Sequence, residues 1–475
     1  MARFGKLLQG AALALIGAEL LFSLFVARMA PCAGDDGFFQ YLAALHFHHG
    51  LVPIRDFLCE YSPGFVYFFS GVWTVMGVGV TDTLLAMALV GFAIVILSSM
   101  ACAYQTGSLN AALFCAVVMI PMRLVYEGGY AYTEPLVMIF VMAAYLLQIK
   151  GGRRWSWATG LFLGSALMMK QSAMVFLPAF GLDLVMRGGV WGRWKALVIW
   201  LAGLGVPFGF FCLANGLPFL ETLWYVADYG HQEYRGDFIS LPETIRFHLQ
   251  MWVFVWPALG SAVWVLWRHR SNYALALGCL AGALALCSCQ SSYHYFLSAL
   301  PFLCLTLAQA ATDLWRFAGP VKIGVAGLVG MMAVGVLGRD RLTQKLSALT
   351  GPEPLFRTFY GGLDGSVRRR QIKKASIIRD MAGDRKLMIL GDVAMQYYSG
   401  IRLYVDEPNM GYLRWPQDQD LIDGRFLGRC DFIVVRPSQD RYNYEGLIQH
   451  LKESGYVEHA RIAVWDDVVV DLRRP

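Results

Sequence analysis

Apolar runs of bilayer-crossing length recur over roughly the first 340 residues of this chain, and no soluble fold accommodates that pattern. They fall near residues 7–30, 83–103, 108–122, 134–149, 157–169, 172–186, 196–214, 250–267, 273–289, 296–314 and 320–338. Each is near or somewhat below the roughly 20 residues an upright helix needs. Only 16% of residues are charged and 57% are hydrophobic, whereas a soluble chain carries about a quarter charged. The expected fold class is an α-helical polytopic membrane protein with about 11 transmembrane helices. The first run reads as an uncleaved signal anchor, because Arg3 and Lys6 precede it and Pro31 directly after Ala30 makes a poor cleavage site.

A further apolar stretch, Gly64–Val80, would raise the count by one, and charge decides against it. Without it, Lys150/Arg153/Arg154, Arg187/Arg193/Lys195, Arg268/Arg270 and Arg316/Lys322 all fall on the side of Arg3 and Lys6, as the positive-inside rule requires. Gly64–Val80 is therefore read as a juxtamembrane or re-entrant helix. Arg339, Arg341 and Lys345 run against the rule, but the four agreeing clusters outweigh them. This divides the chain into a transmembrane domain, 1–338, with a first external loop at 31–82, and a C-terminal extracytoplasmic domain, 339–475. The latter reads as small and α/β: Lys386–Leu390 and Asp431–Val435 are β-rich, Tyr444–Glu453 has helical spacing, and Val468–Leu472 adds an edge strand. The cluster Arg368-Arg369-Arg370 with Lys373-Lys374 reads as a solvated helix face, with anionic lipid headgroups as the sharper alternative.

Charge beside a membrane is costly unless it has a use, and the first external loop concentrates it. Gly34-Asp35-Asp36-Gly37-Phe38-Phe39 opens a segment that also holds His46, His48, His49, Arg55, Asp56 and Glu60. Histidines at i, i+2 and i+3 of a helix do not converge on one ion, so no metal is indicated. Helix capping at the start of Phe38–His48 would explain one of the paired aspartates but not both together with Asp56. Cys32 and Cys59 bracket the island, where an oxidising compartment would allow a disulfide. The run 157–169 spans only about 20 Å as a helix, which puts the turn at Lys170-Gln171 below the outer surface, facing a polar cavity or partner unless the lysine snorkels. Glu127 and Glu134 flank a Gly-rich outward turn, and Glu19 lies within the first run. No Gly-rich phosphate loop is present, so no nucleotide site is indicated, and the net charge of +6 reflects cytoplasmic loops rather than a nucleic-acid surface.

A membrane-surface carboxylate next to basic groups suits group transfer from a lipid phosphate: the base deprotonates an acceptor hydroxyl and the cations stabilise the phosphate that leaves. Asp35-Asp36-Gly37 with its aromatic pair, Ala43-Ala44, His49-Gly50, Pro53-Ile54-Arg55-Asp56-Phe57 and Tyr61-Ser62-Pro63-Gly64 together resemble the first external loop of the glycosyltransferase C superfamily. Those polytopic enzymes use polyprenyl-phosphate sugars and include protein mannosyltransferases and lipid A aminoarabinose transferases. The resemblance implies that Asp35 is the catalytic carboxylate and Asp36 a second acid. The aminoarabinose branch carries Lys-Pro-Pro where this chain has Glu60-Tyr61-Ser62-Pro63. Arg55 or Lys170 must then serve the donor phosphate, with Tyr293 and His294 as further outer-face candidates. Asp56, Glu60, Glu134 and His231 are assigned to substrate.

The expected activity is transfer of a sugar from a polyprenyl-phosphate carrier to a lipid, glycan or protein acceptor, with inversion, at the outer face of the inner membrane. Two alternatives stand beside it. One is a secondary transporter using Glu19, Lys170 and Asp183; the other is a lipid-linked glycan polymerase or ligase.

Overall fold

The computed structural model describes residues 35–57, 62–126, 133–186, 190–228, 298–315, 365–390, 419–436, 443–465 and 467–475, with isolated positions elsewhere, among them Cys59 and Pro416. Its helices are α1 (Asp35–His48), α2 (Gly64–Met76), α3 (Val80–Thr106), α4 (Leu109–Tyr126), α5 (Thr133–Gly151), α6 (Ser156–Met169), α7 (Leu177–Met186), α8 (Val190–Asn215), α9 (Phe219–Asp228), α10 (Leu300–Trp315), α11 (Gly365–Ala382) and α12 (Tyr444–Glu453). Contacts divide the chain into two units. One holds Met1–Ala30, Tyr61–Phe65 and Met76–Phe359, and the other Pro31–Glu60, Val66–Val75 and Tyr360–Pro475.

The C-terminal part of the second unit is built on four strands, β1 (Leu387–Leu390), β2 (Asp431–Arg436), β3 (Val457–Val464) and β4 (Asp467–Arg473), in the order β1-β2-β4-β3. β1 and β2 are parallel; β4 is antiparallel to both β2 and β3. The period of two sends Met388, Leu390, Phe432, Val434, Val470 and Leu472 to one face, where they form a core with Tyr444, Leu447, Ile448 and Leu451 of α12. Asn443 starts that helix, its side chain accepting from Gly446 N–H at 3.3 Å.

β4 is interior rather than the edge strand the sequence suggested, because β3 forms a hairpin with it and takes the edge. The Lys373/Lys374 end of the basic cluster also differs from a solvated face. Lys374 is buried on Asp467, and Lys373 lies 5.5 Å from the centre of the Trp465 ring at the hairpin tip. Both charges tie α11 to the sheet. Within β4, Asp471 is fully buried and accepts from Arg385 and Arg473, so it enters the sheet as part of a charge-compensated trio.

In the helical unit three described helices, Asp82–Thr106, Thr133–Gly151 and Trp194–Asn215, are long and apolar enough to cross a membrane. Shorter apolar helices cover Gly64–Met76, Leu109–Met119, Ser156–Met169, Gln171–Met186 and Leu300–Leu314. Apart from isolated positions, the expected runs 250–267, 273–289 and 320–338 lie outside the described residues, as does half of 7–30. α9 falls in a segment read from sequence as an external loop.

Two contacts fix how α6 and α7 run. Lys170, after the last residue of α6, meets Glu134 near the start of α5, whereas Gln148 near the end of α5 donates to Phe180 O (3.3 Å) and Asp183 Oδ2 (2.7 Å) on α7. The chain thus rises along α6, turns at Lys170, and descends through a 3-10 turn, Gln171–Phe176, into α7. This is the turn the short run 157–169 predicts. Exposed Trp155, Trp157, Trp194 and Tyr104 lie near Lys150, Arg154 and Lys195, the pairing of aromatic and basic residues found at a membrane–water boundary. Tyr104 donates to Lys150 O at 3.0 Å.

α6 and α8 cross without intervening side chains. A Cβ on Gly160 would lie 2.0 Å from Trp200 O, one on Gly164 2.3 Å from Leu204 O, and one on Gly203 2.2 Å from Trp157 O. Gly160 and Gly164 are the small-xxx-small spacing that lets membrane helices approach backbone to backbone. Gly205, two residues beyond, has nothing within 4 Å of its Cβ position. We expect Gly203→Ala to destabilise the protein in detergent by about 1–3 kcal/mol through overpacking. Gly205→Ala should be neutral or stabilising by up to ~1 kcal/mol. Equal melting temperatures for the two variants would show that the crossing is not tight.

Candidate active site

Asp35 and Asp36 form the first turn of α1. The helix starts one turn earlier than the Phe38–His48 segment read from sequence, so both aspartates are helix-start residues. Downstream, Tyr41 packs edge-on against Phe69 (5.5 Å) and Trp73 (6.3 Å), and Phe47 stacks at 4.6 Å on Tyr67. His46 is buried and lies 5.5 Å from Phe57, and His48 Nδ1 is 3.4 Å from Ser70 Oγ. These histidines are packing residues, and among the described residues no group of three acids, histidines or cysteines could hold a metal. Gly50, at φ 89°, ends the helix in a Schellman arrangement, Gly50 N–H donating to Phe47 O (2.9 Å) and Leu51 N–H to His46 O (3.1 Å).

The next residues close a tight turn. Ile54 sits at φ 75°, a conformation β-branched residues rarely accept, with its N–H on Phe57 O at 2.9 Å. Asp56 holds the turn: Oδ2 accepts from Val52 N–H (2.7 Å) and Arg55 Nη2 (2.8 Å), and Oδ1 from Arg55 Nε (2.9 Å). The Arg55 guanidinium, then the Val52 amide, keep this carboxyl below its ordinary range against the opposing effect of burial. The turn is therefore held above the ordinary carboxylate range and loosens as pH falls through the lowered value. Asp56 thus spends its carboxylate on the loop itself, while Arg55 stays about half exposed with Nη1 outside these bonds.

In the helical unit the informative pair is Lys170 and Glu134. The lysine side chain is 9% exposed and the glutamate 3%, and Lys170 Nζ donates to Glu134 Oε1. Lys170 is therefore neither snorkelling nor unpaired. Its place is set by backbone: Lys170 N–H closes α6 on Ala166 O (3.1 Å) before the chain turns extended at φ −160°. A Cβ on Gly64 would lie 2.3 Å from Met168 O, so the start of α2 abuts this same end of α6. Thr133, beside Glu134, and Ser62, before Gly64, are fully buried. None of these contacts shows in the local sequence. Only the Gly160/Gly164 spacing could have signalled that α6 is pinned close to a partner.

Glu60, His231, Tyr293 and His294 lie outside the described residues, as do Glu19, Glu127 and Cys32, the expected partner of the buried Cys59. Two of the three residues the transporter alternative would use are engaged, Lys170 with Glu134 and Asp183 with Gln148.

No protein-family model and no curated protein matches the chain. Solved structures do. The apo crystal structure of ArnT from Cupriavidus metallidurans superposes with a TM-score of 0.62 at 17% identity, over 99% of this chain and 98% of that one. The same protein bound to undecaprenyl phosphate gives a TM-score of 0.61 at 18% identity, over 97% of each. The chain has the fold of ArnT. The fold that the first loop's resemblance implied is therefore the fold observed.

Within the ArnT fold, the buried ion pair gives the sharpest test of local structure. Lys170→Met should leave Glu134 buried without its cation and destabilise by about 3–5 kcal/mol, whereas Lys170→Met with Glu134→Leu should recover most of that loss. Thermal unfolding of the two variants checks it; a double variant no better than the single would mean the pair does not act as a unit.

Proposed function

We propose that this protein is an integral membrane glycosyltransferase that moves a sugar from a polyprenyl-phosphate carrier to an acceptor at the outer face of the membrane. The observation that carries the reading is the whole-length match to the fold of a protein crystallised with undecaprenyl phosphate, in a chain whose first loop opens on paired aspartates at a helix start. In this reading Asp35 takes the proton from the acceptor hydroxyl as its oxygen attacks the anomeric carbon, the bond from that carbon to the phosphate oxygen breaks, and the configuration inverts. Asp36 supports it as a second acid. Arg55, exposed and held in orientation by Asp56, stabilises the phosphate that leaves. Tyr293, His294, His231 and Glu60 remain proposed contributors to donor and substrate binding. Positive-inside charge and the boundary aromatics support an outward-facing loop and an inner-membrane location.

Asp35→Asn keeps size and hydrogen bonding but accepts no proton. Transfer from a radiolabelled undecaprenyl-phosphate sugar in membrane vesicles should fall by roughly 10²–10⁴-fold, with expression and binding of undecaprenyl phosphate unchanged. Turnover near wild type would move the base to Asp36, and undiminished activity in both variants would remove the proposal.

A further inference from the structure

The basic opening of α11 and the tip of the β3–β4 hairpin form a surface that the transfer reaction does not use. From Gly365 to Arg379 the sequence carries Arg368, Arg369, Arg370, Lys373 and Lys374 and no acidic residue. Lys374 pairs with Asp467, whereas Lys373 and its neighbour Ile372 are exposed. Arg368 and Arg369 stand one helical turn before these two exposed positions. Beside this charge the hairpin presents an indole. Two residues, Trp465 and Asp466, join β3 to β4. Trp465 takes φ 55°, a left-handed conformation that such loops usually give to Asn, Asp or Gly. Its side chain is 51% exposed, with the Lys373 ammonium 5.5 Å from the ring centre, and Ile372 is 45% exposed. An asparagine would turn the chain with less strain and expose less apolar surface, so the hairpin alone gives no reason for a tryptophan. Strain held at an exposed, unusual side chain points to a use.

Cations grouped with an exposed indole and an aliphatic side chain suit the boundary of a bilayer. There the charges meet lipid phosphates while the ring lies at headgroup level. The last apolar run ends near residue 338 and α11 begins at Gly365, so at most about 100 Å of extended chain keeps this surface near the membrane. We propose that the start of α11 and the hairpin tip dock the C-terminal domain on the anionic lipid headgroups of the leaflet it faces. The lipid supplies the phosphates, and Trp465 and Ile372 enter the headgroup layer between them. The inference is independent of the glycosyltransferase reading.

A fluorophore on Ser376→Cys, an exposed position one turn beyond Ile372, reports docking in the full-length protein reconstituted in nanodiscs. The bilayers carry a nitroxide-headgroup lipid as quencher, in phosphatidylcholine alone or mixed with phosphatidylglycerol, and the signal of the protein lacking that cysteine is subtracted. Quenching should be at least about twofold stronger with phosphatidylglycerol and return to the phosphatidylcholine level in high salt. Arg368→Gln with Arg369→Gln should weaken docking by roughly fivefold for each charge removed. Trp465→Asn should also lose docking without lowering the melting temperature, since the turn relaxes as the contact with Lys373 is lost. Equal quenching in the two bilayers, or phosphatidylglycerol-dependent quenching that survives both sets of substitutions, would overturn the proposal. Loss of docking on adding inorganic phosphate, but not chloride at the same ionic strength, would assign the surface to dissolved phosphate and overturn it as well. The lipid and salt comparisons on wild type decide the matter even where a variant fails to fold.

Discussion

A lysine and a glutamate shut away from water stay charged at tolerable cost only beside opposite charge, and the helical unit brings the two together. Glu134 is placed by the first turn of α5, Lys170 by the break between α6 and the 3-10 turn that follows. Deleting either charge takes from the other this opposite charge in a low-dielectric interior. The pair therefore acts as a registration point. Its geometry requires that α6 end at the level where α5 begins, and the Gln148 contacts with Phe180 and Asp183 require that α7 end near where α5 ends. Helix order, hairpin turn and depth all follow from those two ties.

The loop follows a different logic. Its residues are held by local interactions, a Schellman stop at Gly50 and a carboxylate-stapled turn at Asp56, rather than by long-range burial of charge. Such a segment keeps its shape with little help from what surrounds it. Asp35 and Asp36, as the first residues of α1, take their backbone placement from that helix.

Much of this was legible in the sequence because the membrane imposes a simple code. Apolar runs mark helices, and the shortness of 157–169 locates the turn at Lys170. The strands β1 and β2 and helix α12 also announced themselves through composition. β3 did not, since Glu458, His459 and Arg461 interrupt its apolar residues and strand identity comes from pairing with β4 rather than from its own alternation. The interior place of β4 was hidden for the related reason that Asp471 reads as solvent-facing until Arg385 and Arg473 are seen to close on it. The start of α1 at Asp35 was masked by the turn-forming look of Gly34-Asp35-Asp36-Gly37. Lys170 could be recognised as buried, but its partner, 36 residues earlier in the chain, could not. Interactions of that kind depend on how helices are stacked.

The glycine crossing of α6 with α8 has a consequence for the bilayer. α6 has 14 residues, about 21 Å at helical rise, against a hydrocarbon thickness near 30 Å. A helix free to move could tilt or slide to reduce such a mismatch, but one seated backbone against backbone at Gly160, Gly164 and Gly203 has no side-chain rotamers through which to yield. The shortfall then falls at the ends of the helix, and at one of them protein fills it: Gly64 at the start of α2 lies against the Met168 backbone. Cover of this kind is what a turn short of the bilayer surface needs, since lipid offers its free backbone groups no partner.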